Sequence, residues 1–257
     1  DELPQSGSGR TIMTTQPRFV PAEPVSLRMD GVEGFSVRFV DCVGYVVDGA
    51  MGAEEEGQQR MVRTPWFDHE IPFTQAAEVG TTKVIGDHSN IGLLVTTDGS
   101  FSGIERSAYV PAEEKAVAAL KASGKPFVMI LNSSEPSAGE TRRLRSELEQ
   151  KYAVPVLLMD VKHLEEEDLD GLMRAVLYEF PLRQIEVNVP QWIQVLPEDD
   201  ALAESVLEAL RASAEGLSHV RDVEEMVQRF ELADAKGLAV AGRTLGTGTV
   251  NLDLPMR

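Results

Sequence analysis

An α/β fold, with a doubly wound, mostly parallel sheet followed by a partial α+β domain, is predicted by three observations. Three short runs, Ile91–Val95, Phe127–Leu131 and Val154–Met159, are almost continuously apolar, as strands buried on both faces must be. Amphipathic helical segments alternate with them, as crossovers between parallel strands require. After Pro181 the strand pattern switches to alternating apolar and polar residues. The expected domains are residues 1–182 and 183–257, and the ligand crevice of the first lies beyond the carboxyl ends of its strands.

Each element has a local reason. Residues 1–24 carry Gly, Ser and Pro without a hydrophobic period and read as a loop or switch-like segment. Val25–Met29 and Phe35–Val40 alternate on either side of Asp30-Gly31, which predicts a half-buried antiparallel pair. Asp41 to Pro72 is rich in Gly and acidic residues and too long for an ordinary connection, so it reads as functional or mobile. Thr74–His88 suits a helix. Pro111 reads as the first-turn proline of the next one, with Glu113 and Glu114 at its positive end and Gly124 stopping it after Ser123. Ala138–Lys151 and Glu166–Phe180 are the remaining helices of the series. Beyond Pro181, the strands Ile185–Val189 and Val250–Leu254 flank the helices Ala201–Ser213 and Val220–Phe230.

Composition narrows the function. The 257 residues are 42% hydrophobic and 26% charged, as in a folded globular protein. With 24 basic and 42 acidic side chains the net charge is −18, which repels nucleic-acid phosphates and anionic lipid headgroups. No basic patch stands out in the sequence, so the expectation is no nucleic-acid partner and only peripheral membrane contact. Cys42 is the single cysteine, and His69, His88, His163 and His219 are scattered without zinc-ligand spacing. A reducing cytoplasm fits this usage. No apolar run approaches the roughly 20 residues of a membrane span, and no signal peptide opens the chain.

The strongest chemical signal is Val40-Asp41-Cys42-Val43-Gly44. In a nucleotide hydrolase, an Asp ending a hydrophobic strand stands near Mg²⁺, and a Gly three positions later lets its amide approach the terminal phosphate. The plainer alternative is a strand-to-turn Asp followed by a permissive Gly. Upstream, Thr11-Ile12-Met13-Thr14-Thr15 holds hydroxyls that suit metal binding or phosphate sensing, against the alternative of a Thr-rich extended segment. Asn132-Ser133-Ser134-Glu135 stands where a GTPase carries Asn-Lys-x-Asp, so Asn132 is either a base contact or a tie between loops, and the guanine-packing Lys is missing.

The sequence contains no G-x-x-x-x-G-K-[ST]. Gly7–Thr11 and Gly242–Gly248 read as flexible turns. Trp66 and Trp192 read as packing anchors, Glu165–Glu167 as complements to a helix dipole, and Cys42 as a small buried hydrophobe rather than a nucleophile.

Asp1–Ser6 (Asp-Glu-Leu-Pro-Gln-Ser), Thr11–Thr15, Val40–Tyr45, Thr64-Pro65-Trp66, Thr96-Thr97-Asp98-Gly99 and Tyr178-Glu179-Phe180-Pro181 together resemble the stage IV sporulation protein A family of spore-coat morphogenetic ATPases, almost end to end. The resemblance implies a P-loop NTPase-like domain whose first strand and P-loop are missing from this chain, followed by the beginning of a middle domain. It implies ATP and Mg²⁺ as cofactors, Asp41 as the Walker B aspartate and metal ligand, and Thr14 and Thr15 as catalytic sensors. Gly44 and Asn132 then become the nucleotide contacts. It also implies self-polymerisation into the coat basement layer at the forespore surface, in the mother-cell cytoplasm. The implied partners are a small amphipathic membrane-anchoring sporulation peptide and other spore-coat proteins. Without a phosphate cradle, this chain alone is expected to be inactive. Two alternatives stay open: a non-enzymatic scaffold derived from a P-loop NTPase, and a response-regulator-like phosphate-binding domain, against which the long segment after Asp41 argues.

Overall fold

The computed structural model describes residues 18–29, 32–55, 57–64, 66–197 and 199–257. They fall into two compact units: Arg38–Val176 with the chain up to Pro24, and Val25–Val37 with Leu177–Arg257.

The first elements are strand β1 (Arg18–Met29) and its neighbour β2 (Val32–Asp41). They are joined through two residues, a connection that only an antiparallel pair allows. Strand structure is therefore present from Arg18, inside the segment expected to be a loop. Pro21 and Pro24 suggested a loop because proline cannot donate to a ladder, but β1 is an edge strand, where a missing N–H is tolerated.

The long segment after Asp41 holds two small ribbons, β3 (Glu54–Glu55) with β4 (Gln58–Gln59) and β5 (Met61–Val62) with β6 (Ile71–Pro72). Helix α1 (Phe73–Lys83) leaves β6 directly and ends in one π-helical turn, Val84–His88. Trp66 packs against Gly80, where a Cβ would meet its ring carbons at 3.3 Å, so this tryptophan is a packing anchor.

The central layer of this unit is a parallel sheet of β7 (Gly92–Thr97), β8 (Phe127–Asn132) and β9 (Val156–Met159), in that spatial order. Helices α2 (Arg106–Ser123), α3 (Gly139–Tyr152) and α4 (Glu166–Tyr178) follow the three strands in turn. Alternate β8 residues face opposite ways: Phe127, Met129 and Leu131 pack with α2 and α3, and Val128 and Ile130 pack with Leu172 and Val176 of α4. Two right-handed crossovers running in one direction across a sheet leave their helices on the same face, which accounts for α2 and α3. The α/β expectation holds as three parallel strands between helical layers. Gly92 is required by close approach, since a Cβ there would lie 2.5 Å from Leu120 Cδ2.

Pro111 does not open its helix. Helix α2 starts five residues earlier at Arg106, and the proline lies inside it, at the cost of one ladder hydrogen bond to the Ser107 carbonyl. The stop is where expected: Gly124 takes φ 66°, a left-handed cap open to glycine. Helix α4 begins at Glu166, and the Asp168 carboxylate accepts from the Glu165 amide at 3.0 Å, consistent with acidic side chains complementing the helix start.

In the second unit, β10 (Gln184–Asn188), α5 (Gln191–Gln194), α6 (Ala201–Ser213), α7 (Val223–Arg229), β11 (Ala239–Thr244) and β12 (Thr249–Asp253) follow in order. β12 runs parallel to β10 and antiparallel to β11, and Val32 of β2 stands opposite Arg243 of β11. Asp200 caps α6 by accepting from Leu202 and Ala203 amides. Val206, Val220, Val223, Met226, Val250, Leu252 and Leu254 form the core. Gly242 and Arg243, expected in a flexible turn, belong to β11; only the chain after Thr244 turns. Trp192 is half-exposed rather than an anchor, because Ile193 takes the inward position of the single-turn α5.

Candidate functional site

The carboxyl ends of β7, β8 and β9 are laced together. After β7, the Thr97 hydroxyl accepts from the Gly99 amide at 3.1 Å, and Asp98 Oδ1 accepts from the Ser100 amide at 3.0 Å and the Ser100 hydroxyl at 2.6 Å. Gly99 has φ +94°, and a Cβ there would sit 3.1 Å from both the Arg106 amide and the Ile104 carbonyl, so only glycine fits this turn. Ser100 Oγ in turn accepts from the Ser134 amide at 3.0 Å, joining the loops after β7 and β8.

The next tie runs to β9. Asn132 Oδ1 accepts from the Val161 amide at 3.0 Å, and the Ser133 amide donates to the Met159 carbonyl at 3.0 Å. Ser133 is fully buried, and its hydroxyl accepts from the Glu135 amide at 3.0 Å. Beyond β9, Asp160 meets His163 Nδ1 at 2.8 Å, and that contact, with the Lys162 amide, holds the Asp160 carboxyl below its ordinary range. Burial pushes the Asp98 carboxyl up, but hydrogen bonds from Ser100, Ser133 and the backbone outweigh it and hold the group below its ordinary range.

Beneath the loops lies a buried charge network. Glu113 of α2 accepts from the Thr96 hydroxyl at 2.6 Å, the Tyr152 hydroxyl at 2.8 Å and Arg106 Nη2 at 2.7 Å. Four side chains from β7, α2 and α3 thus fix the end of β7, from which the Thr97–Ser100 loop departs.

The residues singled out in the sequence stand as follows. Asn132 is in the laced crevice, and there it ties loops. Asp41 is exposed at the end of β2, which belongs to a different sheet from β8, and no hydrogen bond or ion pair joins it to Asn132 among the described residues. Gly44 has φ +77° with open space where a Cβ would stand. Thr14 and Thr15 lie outside the described residues. Cys42 is partly buried, and burial pushes its thiol up, away from the lowered range that activates a cysteine nucleophile.

Asp98, Ser100 and Ser133 are the residues that sequence reasoning passed over. Their signal was present, because Asn-Ser-Ser follows directly on one apolar strand and Asp-Gly follows another after two threonines. Glu113 had none, since a misplaced helix start made it a dipole complement.

Residues 1–181 match the family model for the stage IV sporulation protein A ATPase domain, and residues 182–257 match the middle domain of the same protein. The chain belongs to the stage IV sporulation protein A family. It is 48% identical over 255 residues to stage IV sporulation protein A of Clostridioides difficile (strain 630), and 45% identical over 257 residues to that of Bacillus subtilis (strain 168). The protein of that name from Bacillus anthracis is also 45% identical. Each alignment covers 99% of this chain and 52% of the relative, so the chain spans about half the length of the curated relatives it matches. No solved structure matches it.

Among the described residues no group of three His, Cys, Asp or Glu could hold a metal ion. Mg²⁺ at a nucleotide, however, takes one or two protein carboxylates and finds its other ligands in phosphate and water. Asp41 is one exposed strand-end carboxylate of the kind such an ion takes, with Gly44 standing open three positions on. Among the described residues no helix is long and apolar enough to cross a membrane.

Proposed function

We propose that the chain is the nucleotide-hydrolysing part, with the start of the middle domain, of an ATP-driven, self-polymerising protein that lays down the basement layer of the spore coat around the forespore. The observation that carries this reading is the laced crevice at the ends of β7, β8 and β9, in a chain whose first 181 residues match an ATPase domain. The three-stranded sheet is then the core of a larger, doubly wound, P-loop NTPase-like sheet. Asp41 would hold Mg²⁺, which supplies charge neutralisation at the phosphates. Gly44 would offer its amide to the terminal phosphate, and Thr14 and Thr15 would sense it. Asn132 would shape the base side by holding the loop at Val161.

In this reading the protein works in the mother-cell cytoplasm at the forespore surface. It is recruited there by a small amphipathic membrane-anchoring sporulation peptide and joined by other coat proteins. The non-enzymatic scaffold is the second reading, favoured by one observation: these 257 residues contain no G-x-x-x-x-G-K-[ST]. The test is ATP turnover in a version carrying the upstream coding segment. Asp41→Ala should lower Mg²⁺-dependent hydrolysis at least about a hundredfold while leaving the fold intact, because an exposed strand end tolerates alanine. Unchanged turnover in a well-folded variant returns Asp41 to an ordinary turn; no turnover in the unmutated longer protein selects the scaffold.

A further inference from the structure

We infer that α3 and the segment 164–170 are the two halves of a head-to-tail contact between copies of this chain; this rests on the assembling role proposed above and names its surfaces. In a chain of net charge −18, α3 concentrates Arg142, Arg143 and Arg145 on its exposed side within four positions. The sequence concealed this patch because acidic residues surround it. Arg145 pairs along the helix with Glu149 at 3.0 Å, whereas Arg142 and Arg143 have no ion-pair partner among the described residues.

The complementary surface lies at the start of α4. Glu165, Glu166, Glu167 and Asp170 are exposed there, with the apolar Leu164 and Leu169 exposed among them at 39% and 46%. Arginine suits such a surface, because its guanidinium pairs with carboxylates while its methylene stem covers leucine.

Geometry selects a second copy as the occupant. Leu148 and Tyr152 hold α3 to one face of the sheet, and Leu172 and Val176 hold α4 to the other. The basic and acidic surfaces therefore look away from each other and cannot neutralise one another within one molecule. Two different patches on opposite faces make a heterologous contact, which leaves a free half at each end and repeats into a chain rather than closing as a two-fold dimer.

The experiment is sedimentation velocity of the 257-residue chain at low and moderate salt. The unmutated chain should form concentration-dependent oligomers that weaken roughly tenfold between 50 and 300 mM salt. Arg142→Glu/Arg143→Glu and Glu166→Lys/Glu167→Lys should each remove association while the thermal midpoint stays put, since all four side chains are exposed. Mixing the two variants, or combining all four changes in one chain, should restore it. Association that persists in both variants overturns this contact and leaves the assembling role standing, because some other surface then joins the copies. A chain that stays monomeric also overturns it, with assembly judged separately on the longer protein. Vesicles containing anionic lipid are the last arm: binding that depends on Arg142 and Arg143, without salt-sensitive oligomers, assigns the face to a membrane instead.

Discussion

Replacing Glu113 by glutamine should destabilise the first unit by about 3 kcal/mol. The side chain is 2% exposed, and its carboxylate accepts from Thr96, Tyr152 and Arg106. Glutamine keeps the shape and one acceptor but removes the charge facing a guanidinium that is only 20% exposed. Breaking a buried pair from one side costs about 3–5 kcal/mol, and the fifth of Arg106 open to solvent places this case at the lower end. The guanidinium cannot shed its charge, and its Nε and Nη1 are already buried without hydrogen-bond partners. Arg106→Met should cost less, because the stranded carboxylate keeps the Thr96 and Tyr152 hydroxyls as donors. The two units need not unfold together, so the probe must belong to one of them. Trp66, packed on Gly80, provides it in a Trp192→Phe background. Urea unfolding followed by Trp66 fluorescence should show a lower midpoint with an unchanged slope. A loss below about 1 kcal/mol, or a larger loss for Arg106→Met than for Glu113→Gln, would refute the reasoning.

Three further outcomes are expected. Burial raises the Glu179 carboxyl, and attraction from Arg221 and His219 does not cancel it; the folded state therefore holds the proton more tightly than the unfolded one, and stability falls as pH rises from the ordinary carboxylate range through the raised value. The unfolding midpoint of the unmutated chain relative to Glu179→Gln should drop as pH rises above the ordinary carboxylate range, and a rise would mean that Arg221 outweighs burial. Calorimetry of this chain with Mg²⁺ and ATP should give weak or undetectable heat, because the sequence holds no phosphate-cradling motif, and micromolar affinity would place the phosphate site elsewhere. In the longer protein, Thr14→Ala/Thr15→Ala should slow hydrolysis and polymerisation together while nucleotide affinity holds, since a group acting in the transition state changes turnover more than binding; normal turnover without polymerisation would make the threonines an assembly surface.

The parallel strands were legible because a strand buried on both faces leaves an unbroken apolar run, and Phe127–Leu131 could hardly be anything else. What stayed hidden depended on tertiary neighbours. Glu113 and Glu114 look identical in sequence, yet the first is buried under Thr96 and the second is exposed and pairs with Lys151 at 2.6 Å. Only the helical phase set by the true start at Arg106 separates them, and Pro111 obscured that start. β11 was missed for a similar reason: Gly242 and Gly246 look like turn residues, whereas a shift of register between Val240 and Gly242 accommodates the first of them within a strand.

Ser133 shows why one absence in the sequence has structural meaning. It stands where a guanine-specific site keeps its lysine, and its side chain is fully buried. Its amide is committed to the Met159 carbonyl, its hydroxyl to the Glu135 amide, and the same hydroxyl helps to hold down the Asp98 carboxyl. A lysine here would bring four methylenes and an ammonium into a position without room or counter-charge, and burying an unpaired charge costs several kcal/mol. It would also remove the hydroxyl that accepts from the Glu135 amide and helps to hold Asp98, while the backbone bond to Met159 could remain. The missing lysine is thus a consequence of how the crevice floor is built rather than a neutral change on a guanine site.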